Sequence, residues 1–181
     1  MSRIVRWGTA LAVVSLAACS NEPPPTPVAA APPPPPAVSP ADQQFAAQAG
    51  ASDQFEIQSS QLALQKSHNP RVRAFAQRMI DDHNKTTQQL TGIASGKGLT
   101  LQPALDQQQQ LMLTDLQGQK TSRAFDRAYL HDQVVGHQAT VEAFQTEVSN
   151  GQDAQMKDFA QQTLPVIQDH LKSARQLGGR A

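Results

Sequence analysis

Beyond residue 39, apolar positions recur every three or four residues, the spacing of a single buried helical face. In "VRAFAQRMIDDH", residues 72–83, Val72, Phe75, Ala76, Met79 and Ile80 make such a stripe, which then runs into His83. Start and stop signals cut the pattern into segments. Ser39, Pro40 and Asp42 open a first long helix that reaches about Lys66, and "HNP" at 68–70 ends it. Asn69 and Pro70 open a second, closed by "GKG" at 96–98. A shorter amphipathic segment spans about Ala104 to Gln117 and stops at Gly118. A third long helix starts near Ser122 and ends at "NG", 150–151; Asp153 caps a fourth that runs to Leu177. No stretch alternates as a strand would. Pro165 lies inside the fourth long helix, where its missing N–H predicts a kink or a break.

The pattern also repeats. "NPRVRAFAQ" from Asn69 aligns with "DAQMKDFAQ" from Asp153, and "DQQF" from Asp42 falls on "DRAY" from Asp126 at the same offset. Two similar helical hairpins follow, joined by residues 96–121. A connection of that length can traverse a bundle and set its flanking helices parallel. The predicted fold class is therefore all-α: a ferritin-like four-helix bundle over residues 41–178, with a long crossover carrying a short extra helix.

Composition narrows the partners. The 181 residues carry 15 basic and 15 acidic side chains. No basic stripe with interleaved aromatics appears, which argues against nucleic acid as a partner. Cys19 is the only cysteine, so neither an internal disulfide nor a thiolate metal site can form. Its position has another meaning. Arg3 and Arg6 precede the apolar run "WGTALAVVSLAA", Trp7 to Ala18, which is too short to cross a bilayer and reads as a secretory signal. The run ends in "LAAC", which resembles the bacterial lipobox. Residues 1–18 then form a lipoprotein signal peptide, and residues 19–40 a lipidated cysteine with a proline-rich tether that favours polyproline II. The expected location is the cell envelope, lipid-anchored and facing the periplasm. Ser20, in place of aspartate, favours the outer membrane. The membrane is the implied partner through that anchor; no protein partner is indicated.

The histidines carry the candidate chemistry. On a helical wheel His83 is central among Val72, Ala76, Met79 and Leu90, and His137 among Leu130, Val134, Val141 and Phe144. His170 is central among Met156, Phe159, Thr163, Ile167 and Ala174, while Glu56 shares a line with Phe45, Ala49 and Ala63. His68 and His131 read as surface. Counting rise along antiparallel helices puts Glu56, His83 and His137 in one layer, with His170 roughly 8 Å away. Such a cluster suits a transition metal, with zinc, copper or iron as candidates. Without metal it would be a buried polar layer, internally hydrogen-bonded and fixing helix register. The polar layer is the favoured expectation. Ile80, Val134 and Ile167 stand three residues before the three histidines, so the Glu-x-x-His set of a ferritin-like di-iron site is absent. No nucleophile lies beside a base in a recognisable motif, and no catalytic residue is assigned.

Several segments together resemble a known family: "EIQSSQLA" at 56–63, "NPRVRAFAQRMIDDH" at 69–83, "KGL" at 97–99, "FDRAYL" at 125–130, "QVVGHQ" at 133–138 and "FAQQTLPVIQDHL" at 159–171. They are similar to the bacterial domain of unknown function 4142. Ser60 stands where that family more often has glycine. The resemblance implies a ferritin-like fold and an exported protein, and lends no established activity. The functional expectation is an envelope lipoprotein with a non-enzymatic binding or envelope-stress role. The alternative is a metal-binding or metal-dependent redox protein.

Overall fold

The computed structural model describes residues 38–179; the signal segment, Cys19 and the tether before residue 38 lie outside the described residues. Five helices follow one another: α1 (Pro40–Lys66), α2 (Pro70–Gly96), α3 (Gln107–Gly118), α4 (Ser122–Asn150) and α5 (Ala154–Gly178). Each begins at a side chain that accepts a hydrogen bond from the first-turn backbone: Ser39, Asn69, Asp106, Thr121 and Asp153. The long helices sit within a residue or two of their predicted bounds. The short helix starts later than Ala104 because Asp106 forms a reciprocal capping box with Gln109.

Cross-helix bonds fix the topology. Ser52 meets Thr140 at 2.8 Å and Ser60 meets Tyr129 at 2.8 Å, so α1 and α4 run antiparallel. Lys97 pairs with Asp153 and Asp82 with His170, so α2 and α5 run antiparallel as well. The α1–α2 and α4–α5 hairpins therefore place α2 and α4 in the same direction. The segment between them travels the length of the bundle, with α3 packed along α1 and α4. Lys66 holds its far end, donating to the carbonyls of Gln117 at 2.6 Å and Gln119 at 3.1 Å. This is the ferritin-like four-helix bundle with a long crossover.

The core has two apolar ends. One gathers Val72, Phe75, Met79, Leu116, Phe125, Tyr129 and Leu130; the other gathers Phe45, Leu90, Phe144, Met156 and Phe159. Between them every long helix buries polar side chains: Asp53 and Glu56 on α1, His83 on α2, His137 on α4 and His170 on α5. Among the described residues, no helix is long and apolar enough to cross a membrane.

Pro165 does not break α5, which is continuous from Ala154 to Gly178. The helix continues past Pro165 for a local reason. Pro165 and Gln161, whose carbonyl loses its partner, both lie on the exposed side of the helix. Water can satisfy that carbonyl, so the helix resumes beyond it.

Candidate metal centre

The three core histidines meet. Ring centroids lie 5.7 Å apart for His83 and His137, 5.4 Å for His83 and His170, and 5.4 Å for His137 and His170. Each ring is 1% exposed. The sequence count placed His170 outside the layer, and the structure corrects this. The Lys97–Asp153 pair sets the register of α2 against α5. About fourteen residues further along each helix, His83 is level with Ile167, about 4.5 Å of rise short of His170. Helical side chains lean toward the N-terminus of their own helix, and the imidazole of His170 reaches back across that gap.

One nitrogen of each ring is held by the protein. His83 Nδ1 donates to Asp53 Oδ1 at 2.7 Å. His137 Nδ1 donates to the Gln133 carbonyl, one turn back on α4, at 2.8 Å. His170 Nε2 donates to Asp82 Oδ2 at 3.1 Å. These bonds select the tautomers and leave His83 Nε2, His137 Nε2 and His170 Nδ1 buried with no hydrogen-bond partner. The histidines can present three ligand atoms within 4.8 Å of one another. A ring nitrogen fixed by a carboxylate or carbonyl, with the other facing inward, is how metal-binding histidines are commonly oriented.

Glu56 is not a member of the inward-facing set. It lies on the outer side of His137, with Oε1 3.4 Å from His137 Nδ1, and both its oxygens are buried without hydrogen-bond partners. Gly136 makes room for it: a Cβ there would stand 3.1 Å from Glu56 Oε1. Burial is the main reason its carboxyl is pushed up to about 7, while the nearby His83 pulls the other way. Of the two histidines expected to share its layer, Glu56 thus stands against His137, and the partner of His83 is Asp53. Asp53 was missed because it falls off the apolar line of α1. Its oxygens also accept from Thr86 at 2.9 Å and Thr87 at 3.0 Å, so the paired threonines after His83 were the available signal. Asp82 was missed because "DD" at 81–82 reads as a solvated face.

The electrostatics separate the rings. Burial favours neutral imidazole throughout. It holds His137 well below its ordinary value and brings His170 to about 4, in both cases helped by the charge on His83. Burial also opposes charge on His83, but the Asp53 carboxylate outweighs it and raises that ring. For Asp82, the hydrogen bonds from His170 and Lys85 overcome burial and lower the carboxyl. Neutral imidazoles with free lone pairs are the form that binds a metal ion. His68 and His131 contribute nothing here; His131 is 73% exposed and sits beside Asp132.

Known structures share the fold. A fragment of the DUF305 domain from Deinococcus radiodurans superposes with a TM-score of 0.72 at 14% identity, covering 81% of this chain and all (100%) of that one. CopM in its Cu(II)-bound form gives 0.66 at 19% identity over 77% of this chain and 96% of that one. CopM in its Ag-bound form gives 0.61 at 20% identity over 75% and 93%. At these identities the likeness establishes architecture. No curated protein matches the chain by sequence. The pattern of a family described as a domain of unknown function, DUF4142, matches residues 27–177, and the chain belongs to that family.

Proposed function

We propose that the domain binds one transition-metal ion through His83, His137 and His170, and that the protein handles metal in the bacterial envelope. The observation that carries this is the set of three buried ring nitrogens facing one another without partners, each ring pinned from behind. A metal-free polar layer would pair those nitrogens among themselves, and it does not. An all-imidazole set suits copper, zinc, nickel or iron rather than magnesium or calcium, and divalent copper binds most tightly in the usual series. Copper is the preferred candidate, and CopM, of the same architecture, is known in Cu(II)- and Ag-bound forms. The three histidines would hold the ion and leave a coordination position open. The carboxylates of Asp53, Asp82 and Glu56 lie on the outward nitrogens of the rings and not on the inward ones that would hold the ion, so binding and transfer are favoured over catalysis.

Location belongs to the same reading. The signal-like segment, the lipobox-like "LAAC" and the proline-rich tether support an anchored envelope protein, with Cys19 as the acylated residue. The test of metal binding is direct. The purified protein is dialysed against Cu²⁺, Zn²⁺ or Ag⁺, freed of loose ion, and its metal content measured. One ion per chain is expected, lost in His137→Ala. A folded wild-type protein that retains none of the ions overturns the reading.

A further inference from the structure

Resting on that metal-site reading, we propose that the ion enters and leaves the triad through one port, the groove between α2 and α5, with Asp82 at its threshold. The triad is sealed along most of its circumference, since its three rings are each 1% exposed. Among the described residues, openings approach this height of the bundle from different sides. The larger, about 490 Å³, lies against α1, α4 and the crossover; it is lined by Phe55, Ala139 and Gly136, and by no histidine of the triad. On that side Glu56 and the backbone of α4 stand between solvent and the ring of His137.

The smaller opening, about 260 Å³, lies between α2 and α5 and is walled by His83 and His170 themselves. Its rim carries Asp82, Lys85, Gln89, Gln162 and Val166. Asp82 is the one carboxylate of this rim, with its side chain 23% exposed, and it already holds His170 Nε2. Asp82 offers a cation an oxygen ligand at the mouth, ahead of the ring nitrogens buried behind it, in exchange for its contact with the more exposed Lys85. Arg78 and Lys85 flank Asp82 and keep it oriented, Arg78 Nε at 3.4 Å and Lys85 Nζ at 3.2 Å. Asp82 is therefore a positioning residue twice over: it fixes the tautomer of His170 and presents negative charge at the mouth.

A port of this kind has a kinetic signature. Narrowing the only path changes loading and release by the same factor and leaves the equilibrium untouched, because both directions share one barrier. Val166 sits at the rim, 37% exposed, and is no ligand, so Val166→Trp narrows the mouth without touching the triad. Ala139→Trp fills the other opening as the control. The full chain is loaded with Cu²⁺ in a stopped-flow instrument, and release is followed into a chromophoric chelator at saturating concentration. Val166→Trp is expected to slow loading and release alike by about tenfold or more, with unchanged affinity, while Ala139→Trp leaves both rates at the wild-type value. Asp82→Asn should slow loading further at low than at high ionic strength, because the carboxylate's steering is screened by salt. Unchanged rates in Val166→Trp, or slowing in Ala139→Trp, overturn the port. If wild type takes up no Cu²⁺ at all, the metal-site reading itself has failed, an outcome distinct from either of these.

Discussion

Asp53 is the sharpest probe of the centre, because its oxygens serve two structural hydroxyls and one ligand ring. It accepts from His83 Nδ1 at 2.7 Å, Thr86 Oγ1 at 2.9 Å and Thr87 Oγ1 at 3.0 Å. The His83 carbonyl lies 3.0 Å and 2.8 Å from the same two hydroxyls, so each has an alternative acceptor. In Asp53→Asn the amide oxygen can keep His83 and Thr86 while its NH₂ meets the Thr87 hydroxyl. The hydrogen bonds survive and only their charge assistance is lost, so the metal-free protein should lose about 1 kcal/mol. Asp53→Ala instead leaves a buried ring N–H unpaired, at a cost of about 1–3 kcal/mol.

Metal affinity should respond differently. A carboxylate behind a ligating histidine fixes the ring and raises its basicity, and its loss weakens binding by about 10–100-fold, or about 1.4–2.7 kcal/mol. Asp53→Asn should therefore lose only about 1 kcal/mol without metal and show at least a tenfold weaker Cu²⁺ affinity in a competition titration. If the layer works without metal, the loss is confined to apo stability and wild type has no specific Cu²⁺ affinity to weaken. Folded Asp53→Asn binding Cu²⁺ as tightly as wild type would refute the idea that Asp53 tunes His83 as a ligand.

Three further outcomes are expected. Glu147, 4% exposed beside the fully buried Asp42, has its carboxyl pushed up to about 7, by burial first and by Asp42 next. A raised carboxyl stabilises the fold below its unfolded value and loses that contribution as pH rises through about 7, so wild type should weaken relative to Glu147→Gln between pH 5 and pH 8, by about 1–2 kcal/mol in chemical denaturation; parallel pH profiles would contradict this. Pro165→Ala restores a backbone bond on the exposed face of α5 and should raise stability by about 2–3 kcal/mol, and a melting temperature that stays level or falls would show that the surroundings depend on the proline. Cys19→Ala should abolish membrane partitioning of the intact cells' protein, and a variant cleaved and membrane-bound like wild type would rule out lipidation.

The helices were legible because their ends are written locally. Ser39–Pro40, Asn69–Pro70 and Asp153 cap where capping chemistry predicts, and the long crossover follows from the length of the segment between the hairpins. The histidines were legible as a set because each is central on its own apolar stripe. Their mutual geometry was only partly so. Rise along an axis locates Cα atoms, whereas His170 joins the layer through the lean and reach of its side chain. The supporting carboxylates were hidden for a different reason. Asp53 and Asp82 belong to no apolar periodicity, and what makes them part of the site is a partner on another helix. Glu56, by contrast, lies on the apolar line yet stands behind a ligand rather than beside one. Apolar periodicity finds what is buried; it does not find what a buried group needs.

That need is also the strongest argument about what the layer is for. Two apolar clusters flank it, and leucines at the three histidine positions could join them into one continuous core. Replacing buried polar groups by apolar ones of similar size is often neutral or stabilising. The histidines instead leave three ring nitrogens unsatisfied, and a buried unsatisfied polar atom costs about 1–3 kcal/mol. As packing alone the arrangement is therefore the poorer solution, and as a register device it is incomplete, since the rings bind outward partners rather than one another. A bound ion changes the balance. It would supply one partner to all three nitrogens at once and, at a free concentration one hundred times its dissociation constant, add about 2.7 kcal/mol to the folded state. The rings are held from behind before the ion arrives, so little side-chain freedom is lost on binding. Rigid rings and free inward lone pairs would make a site whose energetics favour the metal-bound chain over the empty one.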